Sequence, residues 1–390
     1  MNNNKKISIV YCTPSLYIPG GVERVLTLKA NYFADIFGYE VTIVLTDGLN
    51  RPNAFTLSDK VKVINLNINF EELWHCSFLN KMVKYLLKQY RYKKELKKLL
   101  MNIRPDITDS LLRREVNFIT EINDGSVKIG ELHVSKRNFR TYKDIETNFI
   151  KEYFSKYWIS STIPSIKRLK RFVVLTEEDK DSWNELNNVV VIPNPVSFTT
   201  KKKSNLTTKR ILSVGRYDYV KGYDLLLKAW SKLENSFLDW RLDIYGAGNK
   251  GPYYKLIDEL GIDQKRCGLN DSTDNIEKEY LESSVYVLSS RFEGFPMVLL
   301  EAMSCGLPVV SFACPCGPRD AIVDGVNGLL VRNGDVDELV KVLSRIMSNA
   351  ELRSSISNAA LDSIKRYNID SIANRWRTLF EEVLNDDNNG

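Results

Sequence analysis

With 390 residues, 43% of them hydrophobic, the chain can bury two cores of ordinary size, which excludes a chain disordered as a whole. The net charge of +6 is mild, so its distribution says more than its sum; six cysteines without regular spacing read as reduced thiols rather than a disulfide framework. Cys314 and Cys316 have no second cysteine pair and only two histidines to join, so no structural zinc set is implied.

Met1 to Lys6 is polar and runs straight into a strand-like segment, and no uncharged apolar stretch approaches the roughly 20 residues of a spanning helix. A cytoplasmic protein is the expectation. Short β-rich runs alternate with longer helical patterns, predicting an α/β fold with parallel sheets. Ile7 to Tyr11 is the first strand, and Ile18-Pro19-Gly20-Gly21-Val22-Glu23-Arg24-Val25 follows it. The glycine pair opens a helix where bare backbone admits a phosphate or sugar, although an ordinary tight turn uses the same residues. Val41 to Leu45 and Val61 to Leu66 are the next strands. Lys81 to Leu100 then holds eight cations (Lys81, Lys84, Lys88, Arg91, Lys93, Lys94, Lys97 and Lys98) against Glu95, with Val83, Leu86, Leu87 and Tyr90 on one face. Such a helix suits an anionic membrane surface, with Lys84, Lys88, Arg91 and Lys98 as the contact patch; a solvated face or a nucleic-acid patch are the other readings. Lys167, Arg168, Lys170 and Arg171 form a second basic cluster.

Val127 to Val134 is a strand carrying His133, which is either a satisfied structural residue or a ligand contact at a strand end. Phe172 to Leu175 follows, and Asp179-Lys180-Asp181 reads as a helix face. Ile192-Pro193-Asn194-Pro195-Val196 and the lysine-rich Thr199 to Lys209 mark a boundary. The expected organisation is therefore a domain over 1–195, a linker over 196–209, a second domain over 210–367 and a terminal helix over 368–390. That helix carries Ile372, Trp376, Leu379, Phe380 and Val383 as a stripe that needs a surface to cover.

In the second half the strands are Ile211 to Val214, Leu242 to Tyr245, Val285 to Leu288, Val309 to Phe312 and Leu329 to Val331. Gly215-Arg216 closes the first of them, and Lys221-Gly222 precedes the helix Tyr223 to Leu233. Two cations at a carboxyl strand end would neutralise a diphosphate. Gly246-Ala247-Gly248 suits a nucleoside but lacks the third glycine of a dinucleotide fingerprint. The most informative element is Glu293-Gly294-Phe295-Pro296-Met297-Val298-Leu299-Leu300-Glu301. Pro296 suits a first helical position, and the amides of Met297, Val298 and Leu299 are then orphan donors fit for a phosphate. The five steps from Pro296 to Glu301 rise roughly 8 Å, too far for two carboxylates to share one proton or metal. Asp335-Val336-Asp337 reads as the cap of helix Glu338 to Met347 rather than a cation site.

Together, Gly20-Gly21, His133, Arg216 with Lys221-Gly222, the Glu293 to Glu301 element, Gly317-Pro318 and Asp324-Gly325-Val326-Asn327-Gly328 resemble the retaining GT-B glycosyltransferases of family four. The resemblance spans nearly the whole chain and implies two Rossmann-like, doubly wound domains facing across a cleft. It implies that the second domain holds a nucleotide diphosphate sugar and the first an acceptor, with the last helix crossing back to the first domain. It further implies that Arg216 and Lys221 bind the diphosphate, Glu301 the ribose, Glu293 with nearby amides the transferred sugar, and that His133 contacts that sugar. No metal or other cofactor is implied. Ser311 to Pro318 is similar to bacterial members that build surface polysaccharide or lipid-linked glycans, often from uridine diphosphate galactose, glucose or N-acetylgalactosamine. Ala313 stands where many members have an acidic residue, which leaves the sugar open. A glycosidase or a non-catalytic nucleotide-sugar binding module are the competing classes; the first needs carboxylates flanking one bond, and the second would transfer nothing.

Overall fold

The computed structural model describes residues 6–139, 162–198 and 200–388, so residues 1–5 of the expected polar N-terminus and Thr199 of the expected linker lie outside the described residues. The chain divides into two compact units, one of Met1–Pro193 with Ile372–Gly390 and the other of Asn194–Ser371.

The first unit is built on seven parallel strands: β1 (Ser8–Thr13), β2 (Glu40–Leu45), β3 (Lys62–Asn65), β4 (Ile107–Ser110), β5 (Val127–Glu131), β6 (Arg171–Val174) and β7 (Val189–Val191). Their order is β3-β2-β1-β4-β5-β6-β7. Both faces of β1 are covered. Ile9 and Tyr11 join one apolar cluster, while Val10 and Cys12 join another, which is why the strand reads as nearly continuous hydrophobic sequence. The helix Ile369–Asn388 supplies Ile372, Trp376, Leu379, Phe380 and Val383 to the first of these clusters, beside Ile9, Leu26 and Phe33. Burying each such side chain contributes roughly 1.5–3 kcal/mol, so the terminal helix is an integral part of this core.

The second unit has six parallel strands: β8 (Arg210–Val214), β9 (Arg241–Tyr245), β10 (Cys267–Asn270), β11 (Val285–Leu288), β12 (Val309–Phe312) and β13 (Leu329–Val331). Their order is β10-β9-β8-β11-β12-β13. In each sheet the direction of strand addition reverses once, between β1 and β4 and between β8 and β11. Open α/β sheets bind ligands at such reversals, outside the carboxyl ends of the strands.

Two expectations are corrected. Residues 196–209 are not a free linker: Ser204 donates through N to Cys305 O at 2.9 Å and through Oγ to Ser283 O at 2.5 Å, tying this stretch into the second unit. The strand carrying His133 stops at Glu131, so His133 lies in the turn beyond it. Asp179-Lys180-Asp181 lies on the short helix Glu177–Ser182 as expected, with Asp179 buried and accepting from the Lys136 amide at 2.8 Å. Asp335 caps the helix Val336–Ser348 by accepting from Glu338 N at 3.0 Å.

Candidate functional site

In the second unit, the turns leaving β8 and β11 are pressed together by glycine. Gly222 has φ +61, and a Cβ on it would lie 2.1 Å from Ser289 O. A Cβ on Gly246 would lie 1.8 Å from Gly215 O. Neither position admits a side chain. This close approach brings Lys221 Nζ to 2.7 Å from Glu293 Oε1, with both side chains largely buried. Expected to hold separate parts of a ligand, these two residues meet in the structure as an ion pair. Gly248 bridges to Tyr217 beside them. Arg216 behaves differently: its side chain is 77% exposed and its guanidinium lies 3.2 Å from Asp218 Oδ2. One cation is therefore fixed at the strand ends, and the other is an exposed arm.

The Glu293 segment is held by the chain leaving β12. Glu293 N donates to Pro315 O at 3.2 Å, and Gly317, at φ +102, packs so closely that a Cβ would meet Pro296 Cδ at 2.3 Å. Cys316 between them has φ +63, a left-handed conformation that costs a non-glycine residue on the order of 1–3 kcal/mol. Burial, and next the charge of Glu293, push the Cys314 thiol well above its ordinary value, so it is an inert packing group. Gly294 is half-buried, while Phe295 is buried with its ring 5.8 Å from that of Tyr367.

The helix start differs from the expected one. The helix is Met297–Ser304 with Pro296 as its cap. Met297 N donates to Phe295 O at 3.0 Å and Leu299 N to Pro296 O at 3.0 Å, because the cap turn closes on itself. Of the three expected donor amides only that of Val298 has no backbone acceptor among the described residues. Glu301, well inside this helix, is buried; it accepts from Ser197 Oγ at 2.5 Å and from Tyr280 OH at 3.0 Å. Burial and then the Glu301 charge push the Tyr280 hydroxyl up, keeping it a donor. Sequence reasoning missed Ser197 and Tyr280. A serine in a presumed linker and a tyrosine in a short helix give no local signal.

In the first unit a cavity of about 500 Å³ opens at the reversal between β1 and β4. Pro14, Ser15 and Ile18 after β1, Leu111 to Arg114 after β4 and Leu132 to Val134 after β5 line it, with Glu23. Gly20 caps the helix Gly21–Asp35, and a side chain on Gly21 would meet open space, so packing within the unit does not require that glycine. Leu112, at φ +47, is held by Ser110 Oγ accepting from its amide at 3.0 Å. His133 is buried against Glu131, with Nε2 3.2 Å from Oε2.

Residues 197–362 match the sequence family described as glycosyl transferases group 1, a stretch that covers the ion pair, both glutamates and nearly all of the second unit. The second unit is a group 1 glycosyltransferase domain. Similarity to whole transferases extends further. An uncharacterized glycosyltransferase of Haemophilus influenzae is 29% identical over 364 residues, 92% of this chain and 95% of that protein. A Campylobacter jejuni α-1,4-N-acetyl-D-galactosaminyltransferase, named for an undecaprenol-diphosphate-linked glycan acceptor, is 26% identical over 397 residues, 97% of this chain and 99% of that protein. The structure of HepE from Anabaena in complex with UDP superimposes with a TM-score of 0.72 at 16% identity, covering 96% of this chain and 100% of that one. The fold is accordingly GT-B.

The basic helix of this glycosyltransferase, Phe78–Ile103, buries Tyr92, Leu96 and Leu100 and leaves Met82, Val83, Leu86, Leu87 and Tyr90 exposed. One patch residue is corrected. Lys88 folds back, with Nζ 2.6 Å from Ile68 O and 3.2 Å from Glu72 Oε2, so it is spent within the unit. Lys84, Arg91 and Lys98 are exposed. In the second basic cluster Arg171 and Lys170 lie 3.4 and 3.8 Å from Asp386 Oδ2, which offsets one of its four charges. No helix among the described residues is long and apolar enough to cross a membrane.

Division of labour between the two glutamates has a direct test. Changing Glu301 to Gln is expected to weaken UDP binding about tenfold with little change in turnover at saturating donor, because its two oxygens are already oriented by Ser197 and Tyr280. Glu293→Gln is expected to spare UDP affinity and lower turnover. Calorimetric titration of UDP alongside steady-state kinetics reads both; equal losses in both assays for both variants would contradict separate roles.

Proposed function

We propose that this glycosyltransferase moves a hexose or N-acetylhexosamine from a uridine diphosphate sugar to a glycan or lipid-linked acceptor in bacterial surface polysaccharide synthesis, with retention at the anomeric carbon and without a metal. The observation that carries this reading is the Lys221–Glu293 pair at the carboxyl ends of β8 and β11. A diphosphate leaving group gains negative charge as its bond to the sugar breaks. Lys221 Nζ, the exposed Arg216 and the Val298 amide are the donors that meet that charge, and such donors are worth most where water is excluded. Glu293, bonded to Lys221 at rest, is set to accept a sugar hydroxyl once the diphosphate draws the ammonium toward itself. Front-face attack then lets the leaving phosphate oxygen take the acceptor's proton, so no carboxylate nucleophile is needed. His133 contacts the transferred sugar, and Gly21 leaves open space at the start of the first helix.

The nucleotide is proposed from the UDP complex of HepE, and the acceptor class from the lipid-linked substrate in the name of the Campylobacter relative. Galactose, glucose and N-acetylgalactosamine are the proposed sugars. The exposed apolar face of Phe78–Ile103 with its cations supports a peripheral place on the cytoplasmic face of the inner membrane.

A panel of nucleotide sugars in thermal unfolding tests the donor. A ligand at a hundred times its dissociation constant adds about 2.7 kcal/mol of apparent stability, enough to stand out from non-binders. One UDP sugar is expected to stabilise most and to release UDP in the presence of acceptor and excess chelator. Free sugar as the main product would favour a glycosidase; binding without isotopic transfer to any acceptor would favour a binding module. Activity lost on chelation and restored by one divalent cation would overturn metal independence.

A further inference from the structure

His133 is one end of a buried charged chain that transfer chemistry alone does not require. Its Nε2 lies 3.2 Å from Glu131 Oε2, and Glu131 Oε1 lies 2.6 Å from Lys29 Nζ. All three side chains are 5% exposed or less. Lys29 sits on the helix that Gly20 caps, and its ammonium lies 4.1 Å from the centre of the Trp376 ring and 5.5 Å from that of Tyr11. A lysine buried this deeply is costly to keep unless it neutralises a specific anion. The anion here is Glu131. Asp109, on the adjacent strand β4, is the remaining acid of this group, and burial first, then the charge of Glu131, push its carboxyl well up toward the neutral form. One anion and one cation therefore already balance.

The second ring nitrogen, Nδ1, is buried with no hydrogen-bond partner among the described residues, although the ring lines the cavity between β1 and β4. Buried polar atoms without partners are uncommon and call for an explanation. We propose that Glu131, anchored by Lys29, is a positioning residue for the transfer reaction: by accepting the Nε2–H of His133 it fixes that tautomer and reserves Nδ1 as the acceptor for a hydroxyl of the transferred sugar. The inference rests on His133 as a sugar contact. Which nitrogen of a histidine is free is set by the bond its other nitrogen makes.

Two histidines make the test simple, because a protein labelled with ¹⁵N-histidine shows only two rings and His75→Asn assigns them. In the wild-type protein His133 is expected to show a neutral ring, protonated at Nε2 and bare at Nδ1. That pattern is expected to survive Lys29→Arg and to be lost in Lys29→Met, where Glu131 has no counter-ion. Turnover in Lys29→Met is expected to fall on the order of a hundredfold, the scale of a misplaced contact group, while UDP affinity holds and Lys29→Arg restores most of the rate. A wild-type ring protonated at Nδ1, or at both nitrogens, would overturn the proposal without any variant having to fold. So would an unchanged pattern in folded Lys29→Met. Titration with UDP-N-acetylgalactosamine, UDP-galactose and UDP-glucose separates the underlying reading: the Nδ1 resonance is expected to move with a sugar nucleotide and not with UDP alone. A correct tautomer whose Nδ1 ignores every bound sugar nucleotide would overturn the sugar contact while leaving the Glu131 assignment in place.

Discussion

Replacing Lys221 by Ala is expected to lower turnover at saturating donor by about a hundredfold or more, the scale lost when one charge-stabilising donor is removed from an active site. The substitution deletes the cation that pairs with Glu293 and leaves a largely buried carboxylate without its 2.7 Å partner. The defect therefore has two parts: weaker stabilisation of the departing diphosphate, and a Glu293 free to take a wrong orientation. Arg216→Ala is expected to cost less, because its side chain is exposed and gives up only a 3.2 Å contact to Asp218 at rest. A double-mutant cycle on Lys221→Ala and Glu293→Gln separates the two parts. Residues in direct contact couple by about 0.5–3 kcal/mol, so the double variant is expected to be less impaired than the product of the single losses. Four kcat values and four UDP affinities, each with a check of folding, complete the cycle. Near-normal turnover in folded Lys221→Ala would remove the lysine from the mechanism, and strict additivity would mean that the ion pair has no part in it.

The sequence made the site legible where chemistry and punctuation coincide. Gly222, Gly246 and Gly317 are forced by close approach of backbone or ring, and each stands beside a residue singled out for its charge or for its place at the helix start. The α/β class was legible for the same reason: runs such as Ile211 to Val214 and Val285 to Leu288 carry the continuous apolar pattern of strands buried on both faces. Other features were hidden by their composition. β4 is Ile107-Thr108-Asp109-Ser110, a central strand with three buried polar residues, so no periodicity reveals it. β7 and β10 are short edge strands, one of three valines and one interrupted by Gly268. The Lys29–Glu131–His133 chain was invisible because its members lie on different elements and meet only in the folded core. Pro296 misled for a physical reason: its fixed φ suits a first helical position, yet Gly317 packs against its ring and pins it one residue earlier as the cap.

Membrane association through Phe78–Ile103 is the second large effect expected. Tyr92, Leu96 and Leu100 satisfy the first unit's core, and the stripe of Met82, Val83, Leu86, Leu87 and Tyr90 is turned away from it, with Leu86 65% and Tyr90 73% exposed. A soluble surface rarely spends five large apolar side chains in this way, and a row of cations beside them fits an anionic bilayer. Lys84, Arg91, Lys94, Lys97 and Lys98 remain exposed after Lys88 is discounted. At about 1 kcal/mol for each cation near the surface, five of them supply reversible attraction, and the apolar stripe adds burial that salt does not screen. Sedimentation with vesicles is therefore expected to rise with the anionic lipid fraction and to fall only in part at high salt. Lys84→Gln, Arg91→Gln and Lys98→Gln together are expected to remove the salt-sensitive share, and Leu86→Asn with Leu87→Asn the salt-resistant share. Transfer to a short water-soluble acceptor is expected to continue in both sets, because none of these side chains lines the cavity between β1 and β4. Wild-type protein that stays in the supernatant with anionic vesicles at low salt would overturn the membrane role and make a soluble acceptor the better reading of the same transferase.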